Sequence, residues 1–190
     1  MEPSIPLIGI SGPARSGKDA TASILVARGF ERIAFADPVK AAVGALFPDV
    51  DHYEDKERVI PEIGKSSREL QQTLGTEWGR HMVHPNLWLI LADRAIEAAF
   101  AAGKPGVVIS DVRFDNEAEF VRNRGGLVVR LHREDREQIR SHASEAGIED
   151  ALVDVELDNN AASLEALAAE FDRVVWPVLR ERDATPSSVA

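Results

Sequence analysis

Gly9 to Thr21 reads GISGPARSGKDAT, and the fold of the chain turns on this stretch. A short apolar run, Pro6 to Ser11 (PLIGIS), predicts a buried strand. Gly12-Pro13-Ala14-Arg15-Ser16-Gly17-Lys18 fits the pattern G-x-x-x-x-G-K. Lys18 to Arg28 then reads as a helix, with Ile24, Leu25 and Val26 apolar and Gly29 as its stop. Strand, glycine loop and helix in this order form the context in which such a loop cradles a polyphosphate. Gly12 and Gly17 let the backbone fold back so that several N–H groups point inward. The helix start adds a partial positive charge facing the phosphates, and Lys18 reaches the terminal phosphoryl oxygens. The plain alternative is a glycine turn before an ordinary helix. Loop, lysine and flanking elements together favour the cradle.

The pattern closes with Ser or Thr, whose hydroxyl binds magnesium, but here the closing residue is Asp19. A carboxylate cannot donate a hydrogen bond to phosphate. Two roles are open to it: a ligand of Mg2+, directly or through water, or a favourable charge at a helix start. Thr21 follows closely and is a candidate to supply the hydroxyl. A second acid, Asp111, ends Gly106 to Asp111 (GVVISD), the strongest strand in the chain. Open α/β sheets bind ligands at the carboxyl ends of their strands. Asp111 is therefore expected to hold magnesium through water, in preference to merely capping the next turn.

Working outward, strands and helices alternate. Arg32 to Ala36 predicts a strand and Pro38 to Phe47 a helix with proline in its first turn. Asp49 to Gly64 is charged, is broken by Pro61 and Gly64, and reads as an insert. SSRELQQTLGTEWGRHM predicts a helix capped by Ser66 or Ser67, and Asn86 to Ala102 a longer one. After the GVVISD strand come a helix over Asn116 to Arg124, a strand LVVRLH, a strand LVDVEL and a helix over Ser163 to Arg180. Apolar rather than alternating strands, each followed by a helix, predict an α/β fold: a five-stranded parallel sheet with helices on both faces.

Bulk properties agree. The 190 residues suffice for one α/β domain with a small insert or lid. A formal net charge of −10 argues against a non-specific nucleic-acid binder. The absence of cysteine excludes disulfides, thiolate nucleophiles and cysteine zinc sites, and fits the cytosol. MEPSIPLIGI does not read as a signal peptide, and LWLILA is too short to span a bilayer.

Phosphoryl transfer is mainly positioning and charge neutralisation, so arginine-rich acceptor and lid segments are expected. Arg68, Gln71, Gln72, Thr73, Trp78 and Arg80 form one such group. Spacing of three to four residues puts Arg68 with Gln71 and Gln72 on one side of a helix. Amides can read a base edge, and Trp78 or Trp88 can stack on it. Arg130, Arg133, Arg136 and Arg140 form the other group, read as a short lid.

GPARSGKDAT, FADPVK, SSRELQQTLGTEWGR, NLWL, SDVRFDNEAEFVRNRGG and SHASEAGI together resemble the deoxynucleoside monophosphate kinases of tailed bacteriophages, a P-loop branch related to adenylate kinase-like enzymes. The resemblance runs from about Leu7 to Leu167, and it makes Asp19 a family trait, since the family's loop also reads G-K-D. It implies a three-layer P-loop kinase fold and an ATP- and Mg2+-dependent transfer of the γ-phosphoryl to a dNMP. By this resemblance Gly12, Ala14, Arg15, Ser16, Gly17, Lys18, Asp19 and Ala20 hold the nucleotide. Lys18 stabilises the transferring phosphoryl group. Asp37 and Lys40 lie beside the acceptor. Arg68 grips its phosphate, with Gln72, Trp78 and Trp88 near sugar or base. Arg113 lies near the reacting phosphates, and Asp111, Arg113 and Glu117 contribute to substrate binding. Arg133, Arg136 and Arg140 are lid arginines, and His142 and Glu145 match an H-x-x-E pattern. LDNNAASLEAL resembles a segment that supports adenine in small P-loop kinases, which nominates Asn159 or Asn160. The expected organisation is a single domain with an acceptor-binding insert over about 49–102 and a lid over about 133–147.

Rival readings are a dephospho-coenzyme A or phosphomevalonate type of kinase, and a nucleotide-binding module without turnover. The missing N-K-x-D guanine reader disfavours a GTPase switch. The expected partner is a small-molecule nucleotide, not nucleic acid or membrane, in a cytoplasmic setting (host cytoplasm for a phage-encoded chain). A homodimer is compatible with all of this.

Overall fold

A computed structural model describes residues 6–52, 55–133, 147–161 and 163–184. In chain order its elements are β1 (Leu7–Ser11), α1 (Lys18–Val26), β2 (Glu31–Ile33), α2 (Asp37–Leu46), β3 (Val59–Ile60), β4 (Lys65–Ser66) and α3 (Ser67–Gln72). A π-helix (Thr73–Val83) follows, then α4 (Leu87–Ala101), β5 (Val107–Val112), α5 (Asp115–Asn123) and β6 (Leu127–His132). A 3₁₀ turn (Asp150–Leu152), β7 (Val155–Asp158) and α6 (Leu164–Ala184) complete it.

All five residues of β1 are buried, as an interior strand of a parallel sheet requires. The sheet has the order β2-β5-β1-β6-β7, and every pairing is parallel. On one face Ile8, Ile10, Val108, Val129, Leu131 and Leu157 pack with Leu25 of α1 and with Leu167, Phe171 and Val175 of α6. Burying each such side chain contributes about 1.5–3 kcal/mol. On the other face Gly9 admits α5; a Cβ there would stand 3.0 Å from the Val121 and Val112 methyls. Helices on both faces make three layers, as the apolar strands predict. β2 ends at Ile33, short of the predicted Ala36, and the last strand starts at Val155 because Leu152 belongs to the 3₁₀ turn.

The β1–β5 register slips where the chain nears the glycine loop. Gly9 pairs with Ile109 but Ser11 with Val112, so β5 carries one extra residue around Ser110 and Asp111. A bulge interrupts the strict alternation of a strand and re-aims the side chains it contains.

The chain divides into two compact units, one of residues 1–34 and 95–190 and the other Phe35–Arg94. In the second unit Pro38 sits in the first turn of α2. The Ser66 hydroxyl accepts from the Glu69 N–H at 3.2 Å, while Glu69 accepts from the Ser66 N–H at 2.8 Å, a reciprocal cap for α3. That Ser66 N–H and then the Lys65 ammonium hold the Glu69 carboxyl below its ordinary value. Its contribution is therefore present above the ordinary carboxylate value and is lost as pH falls through the depressed one. Ser66→Ala should destabilise the fold by about 1 kcal/mol, read as a lower urea midpoint at unchanged slope; an unaltered midpoint would deny the cap any weight.

Buried His52 sits beside Ser67, with Nδ1 at 2.7 Å from the Ser67 hydroxyl and Nε2 at 2.8 Å from the Phe47 carbonyl. A carbonyl only accepts, so Nε2 carries the proton and Nδ1 accepts from Ser67. Gln71 donates to the same Ser67 oxygen at 3.0 Å and so ties α3 to this network.

The segment predicted as one helix is in fact α3 followed by eleven residues of π-helix. The Trp88 indole N–H donates to the Gly75 carbonyl at 2.7 Å. The Trp88 ring lies against Gly79, where a Cβ would come within 2.4 Å of it. An aromatic ring seated against the backbone fits the wider turn, and only glycine allows the approach.

Candidate functional site

Lys18 opens α1, and the loop before it is shaped by three residues with positive φ, Gly12 (φ 144°), Arg15 (φ 63°) and Gly17 (φ 95°). Arg15 is the one non-glycine residue of this kind among the described residues. Such backbone strain is typical of functional turns. The Lys18 ammonium folds back and donates to the Gly12 and Pro13 carbonyls at 2.8 and 2.7 Å. Among the described residues the N–H groups of Gly17, Asp19 and Ala20 have no hydrogen-bond partner. Together with the helix start they present donors and partial positive charge suited to an anion. The buried Ser16 hydroxyl has no hydrogen-bond partner either.

Asn159 was nominated beside Asn160 for adenine. It is buried, and its amide donates to the Ser16 carbonyl at 2.6 Å. Asn160 next to it is exposed. Asp19 is exposed on the first turn of α1. Thr21 is fully buried, and its hydroxyl donates to the Gly17 carbonyl at 3.2 Å. Asp111 lies in the β5 bulge, half-buried. No group of three or more metal-ligating side chains gathers among the described residues. Mg2+ on a nucleotide takes one or two carboxylates plus phosphate oxygens, hard oxygens of the kind that Asp19 and Asp111 carry.

Arg113 is exposed just past β5. Glu117 is buried, and its carboxylate accepts from the Arg113 and Phe114 N–H groups at 2.7 and 3.2 Å. It thereby caps α5 and fixes the backbone that carries Arg113. Arg130 departs from its expected place in the lid. It lies within β6 and is held by the Asp150 carboxylate and the Ile148 carbonyl. Arg133 is exposed immediately after β6. Arg136, Arg140, His142 and Glu145, and with them most of the expected lid, lie outside the described residues.

The second unit carries the residues expected at the acceptor. Asp37 and Lys40 are half-buried on α2, and Gln72 is half-buried at the end of α3. Arg68 pairs with Glu57 at 2.8 Å, and its N–H donates to the Lys56 carbonyl. The sequence offered no signal for Glu57. Of the two tryptophans proposed for stacking, Trp78 is 45% exposed on the π-helix, whereas Trp88 is 6% exposed. Trp88 is committed to Gly75 and Gly79, and its role is packing.

The profile of the family described as deoxynucleotide monophosphate kinase matches residues 44–171. A protein of Acanthamoeba polyphaga mimivirus assigned as a deoxynucleotide monophosphate kinase is 33% identical over 174 residues, covering 81% of this chain and 88% of that protein. A deoxynucleoside-5'-monophosphate kinase of Escherichia phage T5 is 36% identical over 125 residues. That match covers 62% of this chain and 48% of the phage protein, about half its length. Among solved structures, a dephospho-CoA kinase from Campylobacter jejuni is similar with a TM-score of 0.49 and 12% identity, over 94% of this chain and 97% of that one.

Proposed function

Because the chain belongs to the deoxynucleotide monophosphate kinase family, we propose that it transfers the γ-phosphoryl of ATP to a deoxynucleoside monophosphate, giving ADP and a deoxynucleoside diphosphate. The observation that carries the reading is the loop ending in Lys18, with its free N–H groups and its ammonium already inside the turn. ATP, when bound with Mg2+, supplies the phosphoryl group and its leaving diphosphate.

The remaining work falls to the chain. The N–H groups of Gly17, Asp19 and Ala20 hold phosphate oxygens in place. Lys18 exchanges two neutral carbonyls for anionic oxygens and follows the charge that builds during transfer. Asp19 and Asp111 offer hard oxygens to the metal. Arg113, on a backbone fixed by Glu117, neutralises the reacting phosphates, with Arg133 and Arg136. Arg68 binds the acceptor phosphate. Asp37, Lys40 and Gln72 orient the nucleoside, and Trp78 offers an exposed ring for the base. The setting we infer is cytoplasmic. No helix among the described residues is long and apolar enough to cross a membrane.

An acceptor panel tests the reading. ADP release is measured with ATP and Mg2+ across the four common dNMPs, dephospho-coenzyme A and phosphomevalonate. Turnover is expected with at least one dNMP and with neither of the other acceptors. Tight ATP binding with no ADP formed on any acceptor would mean a binding module instead.

A further inference from the structure

We propose that Asn159 is a positioning residue that holds the phosphate loop in its anion-binding form, and that it does not read adenine. The proposal rests on the reading of residues 12–18 as a polyphosphate cradle and adds the device that keeps the cradle open.

Asn159 follows β7 directly and is anchored at its own backbone, where its N–H donates to the His132 carbonyl at 2.7 Å. Its buried side-chain amide donates to the Ser16 carbonyl at 2.6 Å. The amide nitrogen also abuts Gly17 so closely that a Cβ there would stand 2.0 Å from it. Both features act on one peptide bond. In a trans peptide the C=O and N–H point in opposite directions. Holding the Ser16 oxygen towards Asn159 therefore turns the Gly17 N–H away from Asn159.

The Ala20 N–H is open for an ordinary reason. Gly17 caps α1, the first intrahelical bond runs from the Thr21 N–H to the Gly17 carbonyl at 2.9 Å, and Ala20 lies in the turn before that bond, where helix N–H groups have no partner within the helix. The buried Asn159 amide thus fixes the direction of one donor, the Gly17 N–H, beside those that the helix start presents. Having spent its amide in this way, Asn159 leaves the nucleoside side of the site to its exposed neighbour Asn160.

The test separates a clamp from a base reader by using a ligand without a base. Binding of ATP and of inorganic tripolyphosphate, each with Mg2+, is measured by calorimetry on the full chain and on Asn159→Ala. A clamp predicts that both affinities fall by a similar factor, about three- to tenfold for one hydrogen bond. KM for ATP should rise while KM for the dNMP stays unchanged. Asn159→Asp, which places an acceptor against the carbonyl, should be worse than Asn159→Ala for both ligands. A loss confined to ATP would make Asn159 an adenine reader and overturn the proposal. Unchanged affinities with a lower melting temperature would reduce it to packing and overturn it equally. Failure of the unmodified chain to bind either ligand would instead strike the cradle reading itself.

Discussion

Lys18→Ala is expected to lower turnover by about 10²–10³-fold while the protein stays folded. The ammonium folds into the loop, donating to the Gly12 and Pro13 carbonyls at 2.8 and 2.7 Å. In the resting loop a charged donor meets two neutral acceptors. On an anionic phosphoryl oxygen the acceptor is charged as well, and Coulomb attraction adds to the bond. The gain grows as charge builds on the transferring group, so the substitution should act on kcat more than on KM for ATP. Single-turnover phosphoryl transfer to a dNMP is the appropriate measurement, with thermal unfolding as the control. Near-normal turnover in a folded Lys18→Ala protein would remove this loop from the chemistry.

The second large effect is expected at Gly17. Gly17→Ala forces a residue with a Cβ into φ 95°, a region costly for any L side chain. The new methyl would also have to displace Asn159, whose amide nitrogen stands 2.0 Å from its ideal position. Backbone strain and loss of the Asn159–Ser16 bond add together, and ATP affinity should fall roughly 10- to 100-fold. The two residues touch, so their effects should not be additive. In the double variant with Asn159→Ala the methyl has room, and part of the Gly17→Ala loss should be recovered. A double variant as weak as the sum of both losses would show that backbone strain alone governs the site.

These expectations start from a turn whose shape is readable in the sequence for local reasons. Its strand, glycines and helix start are contiguous, and each acts where it stands. The parallel sheet was legible for the same reason: each strand is an unbroken apolar run, and each helix begins and ends at its own signals. Long-range partners were not legible. Nothing at position 57 announces that Glu57 meets Arg68, and nothing in DNN says which asparagine turns back onto Ser16. Trp88 was equally open to stacking or packing, because an indole serves either purpose until its surroundings are known. Its bond to Gly75 decides for packing. The π-helix has no mark of its own in the sequence, because its apolar and polar residues differ little from those of an ordinary helix, and the ring seated against it comes fifteen residues after its start.

The strand order has a consequence for how this chain acquires its structure. β1 has no sequence neighbour beside it: Leu7 pairs with Val107 on one side, and Ile8 with Leu127 on the other. During synthesis the first strand must wait until more than a hundred further residues have emerged before either flank is covered. Its loop is translated early but set in shape late. Closing such distant ends before any pairing rewards them makes folding slow relative to helical proteins of this size. A ribosome-bound chain stalled at residue 105 should accordingly expose β1 to protease, and release past residue 132 should protect it.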